Sequence, residues 1–339
     1  MAGLSDVMLD IRRRQRVRPH SPSELVGFWT GEDLLDGRRV KSNTIIFRTK
    51  GCHWAQKGGC TMCGYTYDAA TTPPTYEDIM AQYRSVEDKI EGSVVKLFTS
   101  GSFLDKSEVP ERAKGEILSS LSKKAEKVIV ETRPEFVTDN TMQEAKKYVA
   151  RLEIAVGLET SSDRIRIECI NKNFLFKDFA RASETAKKYG VTTKAYLLLK
   201  PPFICEKDAL EDIVSSVLDA APYAGTISIN LCNVQRGTIV DELFIKGAYR
   251  PPWLWTIVEA IKRVHGKTGS IIMSDPLAAG SARGPHNCYQ CDAAFADAIR
   301  KYSLTQDLSV FDGLQCQCRL QWEKVLELEG WTFGAPLIY

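Results

Sequence analysis

Six times along the chain a short apolar run rich in β-branched residues is followed by a helical pattern, and this alternation limits the possible folds most. The runs are NTIIFRT (43–49), SVVKLFTS (93–100), KVIVET (127–132), RLEIAVGLE (151–159), TTKAYLLL (192–199) and GTISINLC (225–232). Between them lie segments such as YEDIMAQYRSVEDKIE and FKDFARASETAKKYG. Their apolar residues recur at three- and four-residue steps, and Gly190 stands where a helix would end. Run starts roughly 25–50 residues apart leave room for one crossover helix each, which predicts an α/β chain with a parallel sheet and right-handed crossovers. Six units suit an open, partial (β/α)6 barrel, in which chemistry sits on the loops after the C-terminal ends of the strands. Beyond about residue 240 the pattern changes. GAYRPPWLWTIVEAIKRVHG reads as a turn into a helix and GSIIMSDP as a late strand. The expected organisation is a basic N-terminal extension over 1–40, a barrel over 41–240 and a small C-terminal metal-binding domain over 241–339.

No apolar run approaches the ~18 residues needed to cross a bilayer, and the N-terminal stretch lacks the apolar core of a secretory signal. No membrane role is expected, and the expected compartment is the cytoplasm. Ten cysteines in a reducing cytosol do not form a disulfide framework, so clustered ones point to metal and scattered ones to packing. Cys169, Cys205 and Cys232 are scattered and read as buried small hydrophobes. The rest form two sets: Cys52, Cys60 and Cys63, then Cys288, Cys291, Cys316 and Cys318. A net charge of +2 is uninformative about partners, but Arg12, Arg13, Arg14, Arg16 and Arg18 form a basic run that reads as a solvated face or as a grip for phosphates.

The first set, spaced C-x7-C-x2-C, follows the first strand directly and so lies at the reactive mouth. Thiolates suit iron–sulfur clusters and zinc. A structural zinc site is closed by four ligands, and a cluster that only carries electrons normally has four thiolates. Three thiolates around a 4Fe–4S cluster leave one iron open to a substrate or cofactor. His53 as a fourth ligand, and zinc with a remote fourth ligand, are the competing readings.

Three cysteines after the first strand of a six-unit βα barrel resemble the radical S-adenosylmethionine superfamily, over roughly residues 40–240. The first gap of seven residues is longer than that superfamily's usual three, and is similar to branches related to the Elongator catalytic subunit. The resemblance implies a [4Fe–4S] cluster on Cys52, Cys60 and Cys63, whose open iron chelates S-adenosyl-L-methionine. An electron donor then drives cleavage to methionine and a 5′-deoxyadenosyl radical that abstracts hydrogen from the substrate. It also implies roles for the later loops. FTSGSF (98–103) resembles the turn that contacts the cofactor's methionine end, with Ser100, Gly101 and Ser102, although the superfamily's usual acidic residue is missing there. Glu131 in VIVETRPE is a candidate for ribose hydroxyls, with pairing to Arg133 as the competing reading. Glu159 and Lys172 in VGLETSSDRIRIECINKNF are candidates for ribose and carboxylate contacts, Lys172 standing where an arginine is commoner. Lys200, before two prolines in YLLLKPPF, is expected to aim an ammonium into the mouth as a catalytic group. Asn230, Asn233 and Gln235 are placed to bond a polar heterocycle, and at each single position local capping or solvation competes.

The second set pairs C-x2-C (GPHNCYQCD, 284–292) with C-x-C (QCQCRLQW, 315–322), separated by 24 residues. A closed structural zinc site is expected; an auxiliary iron–sulfur cluster, His286 replacing one thiolate, and unligated thiols are the alternatives. ETRPE, GLETSSD, LLLKPPF and GPHNCYQCD together make the whole chain look like the archaeosine-forming radical S-adenosylmethionine family of archaea. That resemblance implies a lyase in tRNA modification. Its substrate would be tRNA carrying a lysine-conjugated 7-deazaguanine in the D-loop, and its partner the archaeosine synthase subunit. Cleavage of the lysine side-chain carbon–nitrogen bond would leave archaeosine. The basic arm, Trp54 and the RPPWLW aromatics Trp253 and Trp255 are candidate RNA contacts, the last two also reading as core. Methylthiolation or attack on a small molecule, and a non-catalytic zinc-stabilised RNA-binding module, are the alternatives.

Overall fold

The computed structural model describes residues 3–15, 19–332 and 336–337. Arg16 and Arg18 of the basic run lie outside the described residues. One curled sheet of eight strands runs in sequence order: β1 (Gly27–Leu35), β2 (Arg38–Ile46), β3 (Val94–Phe98), β4 (Lys127–Thr132), β5 (Leu152–Glu159), β6 (Thr192–Leu199), β7 (Thr226–Leu231) and β8 (Ile271–Met273). β1 and β2 are antiparallel, and every later pair is parallel. The six expected runs are β2 to β7, so the α/β partial-barrel fold is the observed one.

Helix α1 (Leu4–Arg13) precedes the sheet. The crossovers are α2 (Tyr76–Glu87), α3 (Glu111–Leu121), α4 (Asp139–Tyr148), the pair α5 (Asp163–Glu168) and α6 (Phe176–Lys188), α7 (Glu206–Ala220), and the pair α8 (Ile239–Ile245) and α9 (Leu254–Val264). Helices α10 (Asp292–Thr305) and α11 (Cys318–Leu328) follow β8. Several helix starts are encoded locally. The Thr75 hydroxyl accepts from Asp78 N–H while the Asp78 carboxylate accepts from Thr75 N–H, a reciprocal cap at the head of α2.

Two departures from the expected organisation stand out. The stretch 27–40, expected to be extension, is a hairpin that adds β1 to the sheet. Its turn, Asp36-Gly37, puts both residues at positive φ (52° and 73°), the geometry that matches the twist of the flanking strands. The segment beyond 240 does not build a core of its own. Trp253, Ile257 and Ile261 of the α9 region, Phe295 and Tyr302 of α10 and Trp322 of α11 belong to the same apolar cluster as Ile45, Val130, Leu197 and Ile227 of the strands. Helix α10 packs against both β8 and β1 and so bridges the two edges of the open sheet.

Inside the curl, Leu35, Val94, Ile129 and Ala155 form a small apolar layer. Below it, ion pairs plug the N-terminal end of the barrel: Asp33 with Lys96 (2.8 Å) and Glu153 with Lys127 (2.9 Å). The Lys194 ammonium there contacts Met273 Sδ at 3.2 Å, and burial brings its pKa down to about 8. The closed end is thereby sealed, and only the C-terminal ends of the strands offer an open site.

Candidate active site and metal centre

The loop after β2 carries Cys52, Cys60 and Cys63, and two elements hold it down. Arg12 of α1 reaches in and donates to the carbonyls of Ala55 and Gly58, both at 2.6 Å. Gly58 has φ of 118°, and a methyl there would stand 2.6 Å from the Ser5 Cα, so α1 lies directly on the loop. From the other side, the segment after β5 binds it: Asn171 Nδ2 donates to Gly59 O (2.8 Å), Trp54 Nε1 to Asn171 O (2.7 Å), and Thr61 N–H to Ile170 O (2.9 Å). The three thiols do not all lie within 4.8 Å of one another.

Cationic groups surround these thiols. Burial pushes the Cys60 thiol up to about 12, against the pull of the Lys172 ammonium, and burial also raises Cys63. Lys172 pairs with Glu159 at 2.7 Å, both nearly buried. Burial opposes the Lys172 charge, yet Glu159 and Cys60 raise its pKa. Glu159 sits at φ 68° beside an irregularity in the β5–β6 register, a strained backbone that aims its carboxylate at Lys172. Glu131 projects from β4 into the same space. Burial holds its carboxyl up to about 8, with Lys172 opposing and Glu159 and Glu108 adding to the effect. Arg133 does not take Glu131; it pairs with Glu135 (2.6 Å) and bonds Asn173. Arg133 and Lys172 thus stand beside these thiols from within the barrel, and positive charge there favours the thiolates that a metal centre would need. The donor set fits a [4Fe–4S] cluster with one uncommitted iron.

At the end of β3, Gly101 packs against the cysteine loop: a methyl there would stand 2.8 Å from the Cys52 Cα and 2.1 Å from Glu108 Oε1. Ser100 Oγ lies 3.4 Å from Tyr65 O at the rim. Ser102, expected to offer its hydroxyl to a cofactor, is fully buried, with its Oγ 2.6 Å from Thr132 Oγ1. Lys200 also departs from expectation. Instead of reaching into the mouth, it is 3% exposed, with its ammonium 2.7 Å from Glu206 and 3.5 Å from Glu329. A buried ammonium with two carboxylates in reach is committed to them. Lys200 ties the turn after α11 to the head of α7, and its ammonium is held by these carboxylates.

The basic run reads differently as well. Arg12 is spent on loop carbonyls, and Arg14 pairs with Asp10 (3.3 Å) and Glu242 (3.7 Å), so neither is a free phosphate grip. Trp253 and Trp255 are core, at 1% and 6% exposure, and neither is a base platform. His53 turns to Glu135 (3.5 Å) and the edge of Phe136. Of the polar residues after β7, Gln235 accepts from Gly64 N–H at 2.6 Å, steadying the loop next to Cys63. Sequence reading missed Glu108 and Tyr65 and the inward role of Arg12. Tyr65, half-exposed, caps the rim beside Cys63 and Glu131.

The second cysteine set is assembled tightly. Cys288 and Cys291 approach at 3.8 Å, Cys288 and Cys316 at 3.6 Å, and Cys291 and Cys318 at 3.8 Å. Four thiolates about 2.3 Å from one ion lie about 3.8 Å apart, so the set has the dimensions of a site for a single ion. Trp255 Nε1 donates to Cys318 Sγ (3.3 Å) and Asn287 Nδ2 to Cys291 Sγ (3.4 Å). Such donors orient and stabilise thiolates. Burial opposes the Cys288 thiolate, yet backbone N–H groups of Gln290 and Cys291 and the neighbouring thiols bring its pKa to about 7. His286 is not in the set; its Nδ1 lies 2.8 Å from Gly284 O.

Comparison with known proteins agrees with this geometry. Residues 46–213 match the model of the Radical SAM superfamily. The chain is 50% identical over 343 aligned positions to "Archaeosine synthase subunit beta" of Methanosarcina acetivorans, covering 99% of each chain. It is 40% identical to the protein of that name from Thermococcus kodakarensis, covering 88% of this chain and 96% of the other. Among solved structures, methylornithine synthase aligns with a TM-score of 0.48 at 14% identity, over 95% of this chain and 91% of that one. A barrel whose mouth holds three thiols, matched end to end by a relative of half-identical sequence, places this chain in the Radical SAM superfamily and, within it, in the family of archaeosine synthase beta subunits.

Proposed function

We propose that this chain carries out the radical step of archaeosine formation, cleaving the side-chain carbon–nitrogen bond of a lysine-conjugated 7-deazaguanine in the D-loop of tRNA. The observation that carries this reading is half-identity over 99% of both chains to an archaeosine synthase subunit beta. Cys52, Cys60 and Cys63 would hold the [4Fe–4S] cluster. When bound, that cluster supplies one electron to the sulfonium of S-adenosyl-L-methionine, and the cofactor supplies hydrogen abstraction. The chain's own residues bind and exclude water. Gly101 lets the β3 turn approach the methionine end, while Glu131 and the Glu159–Lys172 pair present a carboxyl group, a carboxylate and an ammonium to ribose and amino-acid groups. Tyr65 narrows the rim.

A chain of net charge +2, whose inward Arg12 is unavailable to phosphates, is poorly equipped to hold tRNA alone. A partner subunit that grips the tRNA, as the relatives' "subunit beta" suggests, completes the reading. Cys288, Cys291, Cys316 and Cys318 would hold a structural Zn2+ at single-ion spacing. Ten free cysteines and the need for an electron donor fit a reducing cytoplasm. Among the described residues no helix is long and apolar enough to cross a membrane.

The test is anaerobic reconstitution with the partner subunit, S-adenosyl-L-methionine, a reductant and the lysine-modified tRNA, followed by nucleoside analysis. Archaeosine and 5′-deoxyadenosine are expected from the native chain, and neither from Cys60→Ala. A native protein with its full iron content that makes 5′-deoxyadenosine but no archaeosine would overturn the substrate; one that makes neither would overturn the reaction.

A further inference from the structure

The turn Ser100–Gly101–Ser102 has no acidic side chain of its own, yet a carboxylate stands inside it. Glu108, on the loop before α3 and 1% exposed, accepts from Ser102 N–H through Oε1 at 2.9 Å. Its other oxygen, Oε2, accepts from the Thr49 hydroxyl at 2.8 Å. Thr49 opens the cysteine loop, and its Oγ1 in turn accepts from Gly51 N–H at 3.1 Å. The bonds therefore run without a break from the residue before Cys52, through Thr49 and Glu108, to the β3 turn. Gly101 lies between: a methyl there would meet Glu108 Oε1 and the Cys52 Cα together. The loop that presents Glu108 is itself anchored, with Glu108 N–H and Val109 N–H both donating to Asp105 O (3.0 and 2.9 Å) and Leu104 and Val109 buried.

We infer that Glu108 is a positioning residue of the cofactor pocket, fixing the separation between Cys52 and the Ser100–Ser102 turn so that a cluster held by Cys52, Cys60 and Cys63 would present its uncommitted iron to the methionine end of S-adenosyl-L-methionine in register. This rests on the reading of the mouth as a [4Fe–4S] and S-adenosyl-L-methionine site. Both contacts are accepted by carboxylate oxygens from separate donors, and an amide keeps only one such acceptor. Glu108 touches neither cluster nor substrate in this role; it acts through the two segments it joins.

The experiment uses the full-length chain after anaerobic reconstitution, in native form and as Glu108→Gln, Glu108→Ala and Thr49→Val. Iron content, the Kd for S-adenosyl-L-methionine and the electron paramagnetic resonance spectrum of the reduced cluster, with and without the cofactor, are measured. Near-native iron is expected in all three. The Kd should weaken about tenfold in Glu108→Ala, a loss equivalent to about 1.4 kcal/mol. Intermediate weakening is expected in the other two, together with a smaller spectral change on cofactor addition. Thr49→Val leaves the carboxylate in place and decides the matter if Glu108→Ala does not fold. Native Kd and native spectra in Glu108→Gln and Thr49→Val would overturn the inference while leaving the radical reading intact. A native chain that takes up no cluster would overturn both.

Discussion

At the residue scale, the chemistry of this molecule is decided by which charged groups are left facing the mouth. Lys200 follows β6 directly and Lys172 lies beyond α5, and their local sequence offered both to the mouth. The structure gives Lys172 one carboxylate and the neighbourhood of Cys60, and it gives Lys200 two carboxylates and burial. Glu131 and Asp212 show the matching effect on acids, since burial raises both. Asp212 accepts from the Thr160 hydroxyl at 2.7 Å, and burial raises its carboxyl to about 6 from 3.8. The folded state therefore binds more protons than the unfolded one between those values, so this group's contribution to stability falls as pH rises through 3.8 to about 6. Asp212→Asn keeps the acceptor for Thr160 and has no charge to bury. It should leave stability unchanged near pH 4 and raise it by about 1–2 kcal/mol at pH 7.5, discounted from the full shift for partial exposure. Denaturant melts at the two pH values check this, and a gain that persisted at pH 4 would refute the assignment.

At the scale of elements, the six βα units were legible because strands buried on both faces read as continuous apolar runs and their helices as periodic ones. The first hairpin was not read: Asp36-Gly37 carries a turn signal, but the strand GFWTGEDLL has five polar or glycine positions among nine and so lacks an apolar run. The role of α1 was not legible. Its basic residues suggested solvent or phosphate, and only the packed structure turns Arg12 inward onto the cysteine loop. Gly58 is the contact point. Gly58→Ala would combine a φ of 118° with a Cβ driven into the Ser5 backbone. Such strain costs about 1–3 kcal/mol, and the expected release is detachment of α1. Proteolytic cleavage before residue 20 should accelerate, with the rest of the chain resistant; unchanged cleavage would show that α1 does not rest on this glycine.

At the scale of the whole molecule, the second cysteine set joins two elements that the barrel alone leaves apart, since Cys288 and Cys291 lead into α10 while Cys316 and Cys318 open α11. Trp255 of α9 both donates to Cys318 and stacks on Trp322, so the site is continuous with the common core. Cys291→Ser should lose about one zinc per chain and lower the melting temperature, leaving the iron of the first set in place. Unchanged zinc content would refute the site, and a parallel loss of iron would point to an auxiliary cluster. The alternation of runs, the three thiols behind the first strand and the four behind the last were written in local order, because strand and helix periodicity and ligand spacing are properties of neighbours along the chain. Which lysine serves the mouth, which carboxylate reaches into the β3 turn, and whether the last hundred residues fold apart or onto the barrel depend on contacts between residues far apart in sequence. Burial and pairing of charge are set there, and only the tertiary structure decided them.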